Sequence, residues 1–380
     1  MLSPWCPNWS RSTGSLLVNL SKTKVMVFRK GGRLKAGTKF SYGEESIEIV
    51  NEYVYLGVLF SQKGVFQKAA EMFKKKGIVA LASVWKTLFQ GKVTSWKSKI
   101  RLFESISLSC ALYAVQIWGL RYVTKLEEMQ AYFYKRLLGV ERTVPGYLLR
   151  LETASPTFLL KVMKHTLAYW VKLICMDEDS YPKICFNALY KAWRDGSFIR
   201  QYNWVARLHT SLEKLGYGNF CHLDNIADIM ADIPRILTRI IDTTRQEDVC
   251  NMQKSKRHGK YALMWDDELK PAKYLNFDLT YKQLSIIAQM RLNDGRVYHE
   301  KFRHVFNLQN SCTLCNLGEE ETFQHFICAC KIYPNRNRMG VHLNLSNWPQ
   351  CLRFDNREKC LQLAEFLQLN LRTRRMMIEE

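Results

Sequence analysis

Residues Glu52–Ser61 read E-Y-V-Y-L-G-V-L-F-S. Aromatic and β-branched residues crowd a short apolar run bounded by glycine and Asn51, which is the composition of a strand. Working backwards, the same texture recurs in S-I-E-I-V (Ser46–Val50), K-V-M-V-F (Lys24–Phe28) and L-L-V-N-L (Leu16–Leu20), with the turn-rich R-K-G-G-R-L-K-A-G (Arg29–Gly37) among them. Residues 16–60 therefore read as two to four short strands, too few for a stable sheet unless something packs on them. Working forwards, the texture changes near Lys63. Residues 63–140 follow a helical period and are poor in Gly and Pro, and Pro145-Gly146 marks a break. Helical patterns resume, clearest over Leu159–Cys175, and Gln283–Arg303 reads as another basic helix leading into a cysteine cluster. Residues 176–260 carry polar turns and mixed charge without a motif. The expected fold class is α+β, mostly α-helical.

The chain has 380 residues, 47% hydrophobic and 24% charged, enough for two or three folded domains. Lys and Arg number 56 against 35 Asp and Glu, a net charge of +21 that calls for a polyanionic partner. The surplus is concentrated. Residues 61–101 hold Lys63, Lys68, Lys74, Lys75, Lys76, Lys86, Lys92, Lys97, Lys99 and Arg101 against the single acid Glu71. Phe73, Trp85, Phe89 and Trp96 are interleaved. The aromatics read as core, and the basic side chains as contacts to a phosphate backbone, because nearly unopposed charge over forty residues is costly without a partner. The longest uncharged run, Ser105–Leu120, is shorter than a membrane span and contains Gln116, so it reads as a buried helix and no membrane partner is expected. The first ten residues, M-L-S-P-W-C-P-N-W-S, lack the basic and apolar regions of a signal peptide. Most of the 12 cysteines sit singly among apolar neighbours, as Cys110, Cys175 and Cys185 do, which suits a reducing compartment, nuclear or cytoplasmic. No internal repeat or low-complexity tract is evident.

One group of cysteines is dense. C-T-L-C-N-L-G-E-E-E-T-F-Q-H-F-I-C-A-C (Cys312–Cys330) holds four cysteines and one histidine in nineteen residues. Cys312 and Cys315 are spaced to turn both sulfurs inward on a tight turn. His325 and a later cysteine, carried by a short helix, complete a tetrahedral set, the ligands of a closed structural zinc site. Asn316-Leu317-Gly318 supplies the turn, and Glu319-Glu320-Glu321 reads as the acidic first turn of the helix carrying His325. By spacing alone, Cys328 and Cys330 both qualify as the fourth ligand.

Two stretches resemble one family. V-N-L-S-K-T-K-V-M-V-F (Val18–Phe28), followed by Glu52–Ser61, resembles the end of the polymerase palm in reverse transcriptases of non-LTR (LINE-type) retrotransposons. There, a lysine-threonine-lysine strand precedes a tyrosine-leucine-glycine hairpin that grips the primer end. Cys312-x2-Cys315, His325-x4-Cys330 resembles the zinc knuckle of the same open reading frames, and that comparison favours Cys330 over Cys328. The resemblance implies a palm-edge remnant with a short antiparallel hairpin (1–62), a basic helical thumb (63–145), a helical linker (146–305), a CCHC knuckle (306–335) and a C-terminal tail (336–380). It implies contact with element RNA or target DNA through Lys22, Lys24, Lys74, Lys75, Lys76, Lys86, Lys92, Lys97, Lys99 and Arg101. It also implies a structural zinc on Cys312, Cys315, His325 and Cys330.

The family's chemistry further needs palm aspartates that hold two magnesium ions, one pair in an aromatic-x-Asp-Asp turn upstream of the lysine-threonine strand. Here the first aspartate is Asp177, and the only Asp-Asp, Asp266-Asp267, lies beyond the thumb and reads as a polar helix start. No catalytic residue is therefore expected. Magnesium belongs only to the complete polymerase, and Lys22 and Lys24, with no metal site to assist, read as sheet-edge lysines. The reading is a truncated, reverse transcriptase-derived nucleic-acid-binding protein. Two alternatives stand beside it: a fragment of an active RNA-directed DNA polymerase whose missing N-terminal part is encoded upstream, and a helical protein-interaction scaffold.

Overall fold

The computed structural model describes residues 18–266, 269–292, 311–312, 314–315, 317–320, 322, 324–333, 352–354 and 356–379. Outside the described residues lie the N-terminus with Leu16 and Leu17, Asp267, the second half of the helix expected over 283–303, Glu321, and residues 334–351. The chain divides into two compact units, one from Met1–Phe73 and Asp177–Leu208, the other from Lys74–Met176 and His209–Glu380. It is mostly helical with two small sheets.

The strands belong to the first unit: β1 (Lys24–Val25), β2 (Phe40–Tyr42), β3 (Glu45–Ile49), β4 (Glu52–Tyr55) and β5 (Val58–Ser61). β3 is central in a three-stranded sheet, parallel to β1 (Lys24 opposite Glu48) and antiparallel to β2 (Phe40 opposite Ile47). β4 and β5 form a separate antiparallel hairpin, with Glu52 opposite Ser61 and Tyr55 opposite Val58. Its two-residue turn, Leu56-Gly57, has φ of 47° and 81°, the left-handed pair that a tight hairpin needs to match strand twist. Tyr53, Val54, Tyr55 and Leu56 are all exposed, so β4 buries neither face.

In chain order the α-helices of seven residues or more among the described residues are α1 (Gln67–Gln90), α2 (Trp96–Leu102), α3 (Val115–Leu138), α4 (Gly146–Thr153), α5 (Phe158–Ile174), α6 (Tyr181–Arg194), α7 (Trp204–Glu213), α8 (Ile226–Lys254), α9 (Tyr281–Leu292) and α10 (Arg357–Glu379). The core of the second unit forms where α3 lies along α5. Leu126, Met129, Phe133 and Leu137 recur every three or four residues on α3, and Phe158, Val162, Thr166 and Trp170 do so on α5. Gly119 permits the close approach, because a Cβ there would sit 2.8 Å from Val162 Cγ1. Pro145 precedes α4 and starts it, so the expected break is a helix N-terminus. α8 crosses α4 and α5. Arg150 on α4 grips Asp248 on α8 through Nε–Oδ2 at 2.7 Å and a second bond from Nη2 to Oδ1. α8 spans 29 residues in a region whose sequence carries no helix motif; Pro234 and the mixed charge mask its period. α9 packs on both α3 and α10. The C-terminal segment is thus built into the core: Cys360, Leu363, Ala364 and Leu367 are buried.

Among the described residues, no single helix is long and apolar enough to cross a membrane. The segments Trp96–Ala111 and Val115–Leu138 reach that length and composition only as a pair, bent by 111°. Their apolar side chains, including Phe103, Leu108, Val115 and Trp118, are core.

Candidate metal centre and basic face

Cys312 follows a β-bridge between Ser311 and Glu320, and its amide donates to the Glu319 carbonyl at 2.7 Å. That closure folds the Cys312–Glu320 segment into a turn and aims Cys312 and Cys315 at the segment that follows. Thr322 then starts a helical turn, its hydroxyl accepting from the His325 amide at 3.1 Å. The turn His325–Ala329 is a π-helix, closed by the Cys330 amide on the His325 carbonyl at 2.7 Å. In such a turn residue i+5 returns beneath residue i. The structure accordingly brings Cys330 to His325, while Cys328 stands outside the group. The ligand atoms of Cys312, Cys315, His325 and Cys330 all lie within 4.8 Å of one another.

The donor set fits a metal ion. Ligand atoms on a tetrahedral zinc, bonded at about 2.3 Å to sulfur and 2.0–2.1 Å to nitrogen, are about 3.5–3.8 Å apart. Cys315 Sγ and His325 Nε2 stand at 3.3 Å. The other ring nitrogen, Nδ1, is 2.6 Å from Glu319 Oε2, so a carboxylate fixes the tautomer that presents Nε2 to the group. Glu319 therefore has a different place from the expected one: Glu319 and Glu320 lie in the bridged turn before the helix, and Glu319 orients the histidine. Cys330 is fully buried, and Cys312 and His325 nearly so. Burial, with a smaller contribution from the neighbouring Cys312 and Cys315, pushes the Cys330 thiol up to about 12. A bound cation reverses both effects by stabilising the thiolates. No disulfide joins any of the ten described cysteines. Phe326, between His325 and Cys330, packs on Tyr333 at 4.6 Å and on Phe366 of α10 at 6.5 Å, seating the turn on the C-terminal helix.

The basic candidates divide by environment. Lys75, Lys76, Lys86, Lys92, Lys97 and Arg101 are exposed on α1, α2 and their connection. Lys74 is paired with Glu128, and Lys24 with Glu48 on the neighbouring strand at 2.5 Å. Lys22 is exposed at the edge of the first unit, its carbonyl accepting from Tyr53 Oη at 3.3 Å. Lys99 departs from the expected pattern: it is only 6% exposed, because Trp96, Lys99 and Phe103 share one face of α2 and its continuation, and that face is buried. Phe73, Trp85 and Trp96 are core, whereas Phe89 is 51% exposed. Asp266 does not begin a helix. It follows the short helix Tyr261–Met264 and faces Arg353 at 3.3 Å.

Comparison of the chain with protein-family models, with curated proteins and with solved structures finds no match.

Proposed function

We propose that this chain binds nucleic acid through the basic face of α1 and α2, with a zinc ion on Cys312, Cys315, His325 and Cys330 as a structural clip. We also propose that it descends from the C-terminal part of a non-LTR reverse transcriptase. The observation that carries the binding is the distribution of charge. Of the eight basic side chains from Lys74 to Arg101, six are exposed, over a segment that holds no acid in its sequence. Like charges held this close repel one another unless a polyanion lies against them. Zinc is the metal that three thiolates and an imidazole favour, and a site filled by four protein ligands leaves no open position for catalysis. The retrotransposon descent rests on the Val18–Phe28, Glu52–Ser61 and Cys312–Cys330 motifs. The aromatic-x-Asp-Asp turn of that family is not among these 380 residues, so nucleic-acid binding, and not polymerisation, is the role proposed for them.

The test is equilibrium binding of the full chain to single-stranded RNA, single-stranded DNA and duplex across a salt series. Six phosphate contacts on a single strand give a log–log salt slope of about −4, a loss of about 300-fold between 50 and 200 mM salt. Replacing Lys75, Lys76 and Lys86 with glutamine lowers that slope by about 2. Binding that ignores salt, or no binding, refutes the interface. Extension of a primed template by this chain with magnesium refutes the absence of polymerase activity.

A further inference from the structure

The second unit contains a cavity of about 350 Å³ between the C-terminal end of α1, the start of α2 and the start of α9. Its wall carries the aromatic rings of Trp85, Phe89 and Tyr281, with Lys92 and Lys99 beside them and leucines behind. A volume near the lower end of the ~300–1,000 Å³ typical of small-ligand pockets suits a single small, flat ligand.

Three features of the wall suit a ligand that is anionic and flat. First, the Lys99 ammonium has no hydrogen bond or ion pair among the described residues, although the residue is 94% buried, as its 6% exposure gives. Burial lowers its proton affinity, and only the more distant Asp278 carboxylate acts the other way. An ammonium without a partner on a largely buried side chain gains from an anion placed against it. Second, the Trp85 ring forms part of the same wall. Third, Lys92 is exposed on the cavity rim at the end of α1 and adds a second cation. Phe89 and Tyr281 stand edge to face, 5.4 Å apart at 83°, and both are substantially exposed. They offer an accessible π surface at the mouth.

We infer that this cavity is the seat of one unstacked nucleotide of a bound single strand, with its base against Phe89 and Tyr281 and its phosphate on Lys99 and Lys92. The inference rests on the nucleic-acid reading above and adds a specific site to it. An aliphatic carboxylate matches the ammonium and the leucines but makes no use of the Phe89 and Tyr281 rings at the mouth. A nucleotide supplies the anion and the flat body together, and base–aromatic stacking tolerates any base.

The test is photocrosslinking of the full chain to a ten-nucleotide RNA carrying 4-thiouridine, followed by mapping of tryptic peptides. Crosslinks are expected in Thr87–Lys92, which contains Phe89, and in Tyr274–Lys282, which contains Tyr281. Lys99→Met keeps the shape of the side chain and removes the ammonium. It is expected to reduce both crosslinks at least about tenfold, the low end for a hydrogen bond to a charged group, with a melting temperature unchanged or raised. Phe89→Ala, at an exposed position, is expected to reduce the Tyr281-peptide crosslink while the protein stays folded. Free uridine monophosphate competing for these crosslinks adds support. Salt-dependent binding whose crosslinks map elsewhere, or persist in both variants, overturns the cavity and leaves the nucleic-acid interface standing. Absence of any binding overturns both. Lys99-dependent thermal stabilisation by laurate, with none by the oligonucleotide, reassigns the cavity to an amphiphile and overturns the inference.

Discussion

Arg291 of α9 and Glu152 of α4 form an ion pair with essentially no solvent contact: the residues are 4% and 1% exposed. Arg291 Nε donates to Glu152 Oε1 at 2.6 Å and Nη2 to Oε2 at 3.0 Å, a two-pronged match of guanidinium to carboxylate. Nη1 donates to the Leu352 carbonyl, and Tyr261 Oη donates to Glu152 Oε2 at 2.7 Å. The guanidinium also lies 5.6 Å from the Tyr274 ring centre. One pair thus joins α4, α9, the Tyr261–Met264 helix and the segment before α10. Burial alone would lower the Arg291 proton affinity, but Glu152 more than reverses that, so the arginine stays charged. Arg291→Met leaves the Glu152 carboxylate buried with only the Tyr261 hydroxyl. Removing one member of such a pair costs about 3–5 kcal/mol. At about 2–4 °C per kcal/mol for a large domain, the melting temperature falls by roughly 6–20 °C. The double variant Arg291→Met/Glu152→Gln removes both charges and keeps an acceptor for Tyr261. It is expected to lose at least about 2 kcal/mol less than the sum of the two single variants. Urea unfolding followed by circular dichroism measures all four proteins. A single-variant loss below about 1 kcal/mol, or additivity in the double variant, refutes this account of the pair.

The full chain is expected to hold one zinc, measured by elemental mass spectrometry of purified protein. Cys330→Ser loses it and Cys328→Ser keeps it; the reverse pattern refutes the π-turn placement of the fourth ligand. In the β4–β5 turn, Leu56 occupies a left-handed position with its side chain 74% exposed. Leu56→Asn, a residue that tolerates that conformation, is expected to slow amide exchange in the hairpin, corresponding to a gain of about 1 kcal/mol. Faster exchange in the variant shows that the leucine side chain contributes more than its strain costs.

The strand-rich start, the helical remainder and the cysteine–histidine spacing were legible because each depends on residues close in sequence. Glu52–Ser61 carries its own turn, and the metal ligands fall within nineteen residues. What was not legible depends on phase or distance. Lys99 counts as one more lysine in a basic run until it is placed on the helix, where Trp96 and Phe103 share its face; the i, i+3, i+7 spacing was the available signal. Glu319 becomes a partner of His325 only because the Ser311–Glu320 bridge folds the turn back. Glu152 and Arg291 are 139 positions apart, and nothing local marks either as buried. α8 was hidden by Pro234, which the helix accommodates within a long packed element.

The placement of the acids bears on what the surplus charge means. Ion pairs among the described residues engage Glu48, Glu52, Glu104, Glu127, Glu128, Glu152 and Asp248, with partners that include Lys24, Lys68, Lys161, Lys74, Arg150 and Arg291. Some of these pairs are surface pairs of small energetic weight, but each takes an acid away from the rest of the basic surface. Lys75, Lys86, Lys92, Lys97 and Arg101 take part in none of these pairs, and all are exposed. A basic protein that is merely soluble gains nothing from collecting its exposed cations on two successive helices and their connection, since scattering them lowers their mutual repulsion. A chain that meets a phosphate backbone gains from that concentration, because each neutralised phosphate releases a counterion. Lys99, buried at the edge of the same basic segment without an ion-pair partner, extends that logic inward from the surface to the cavity.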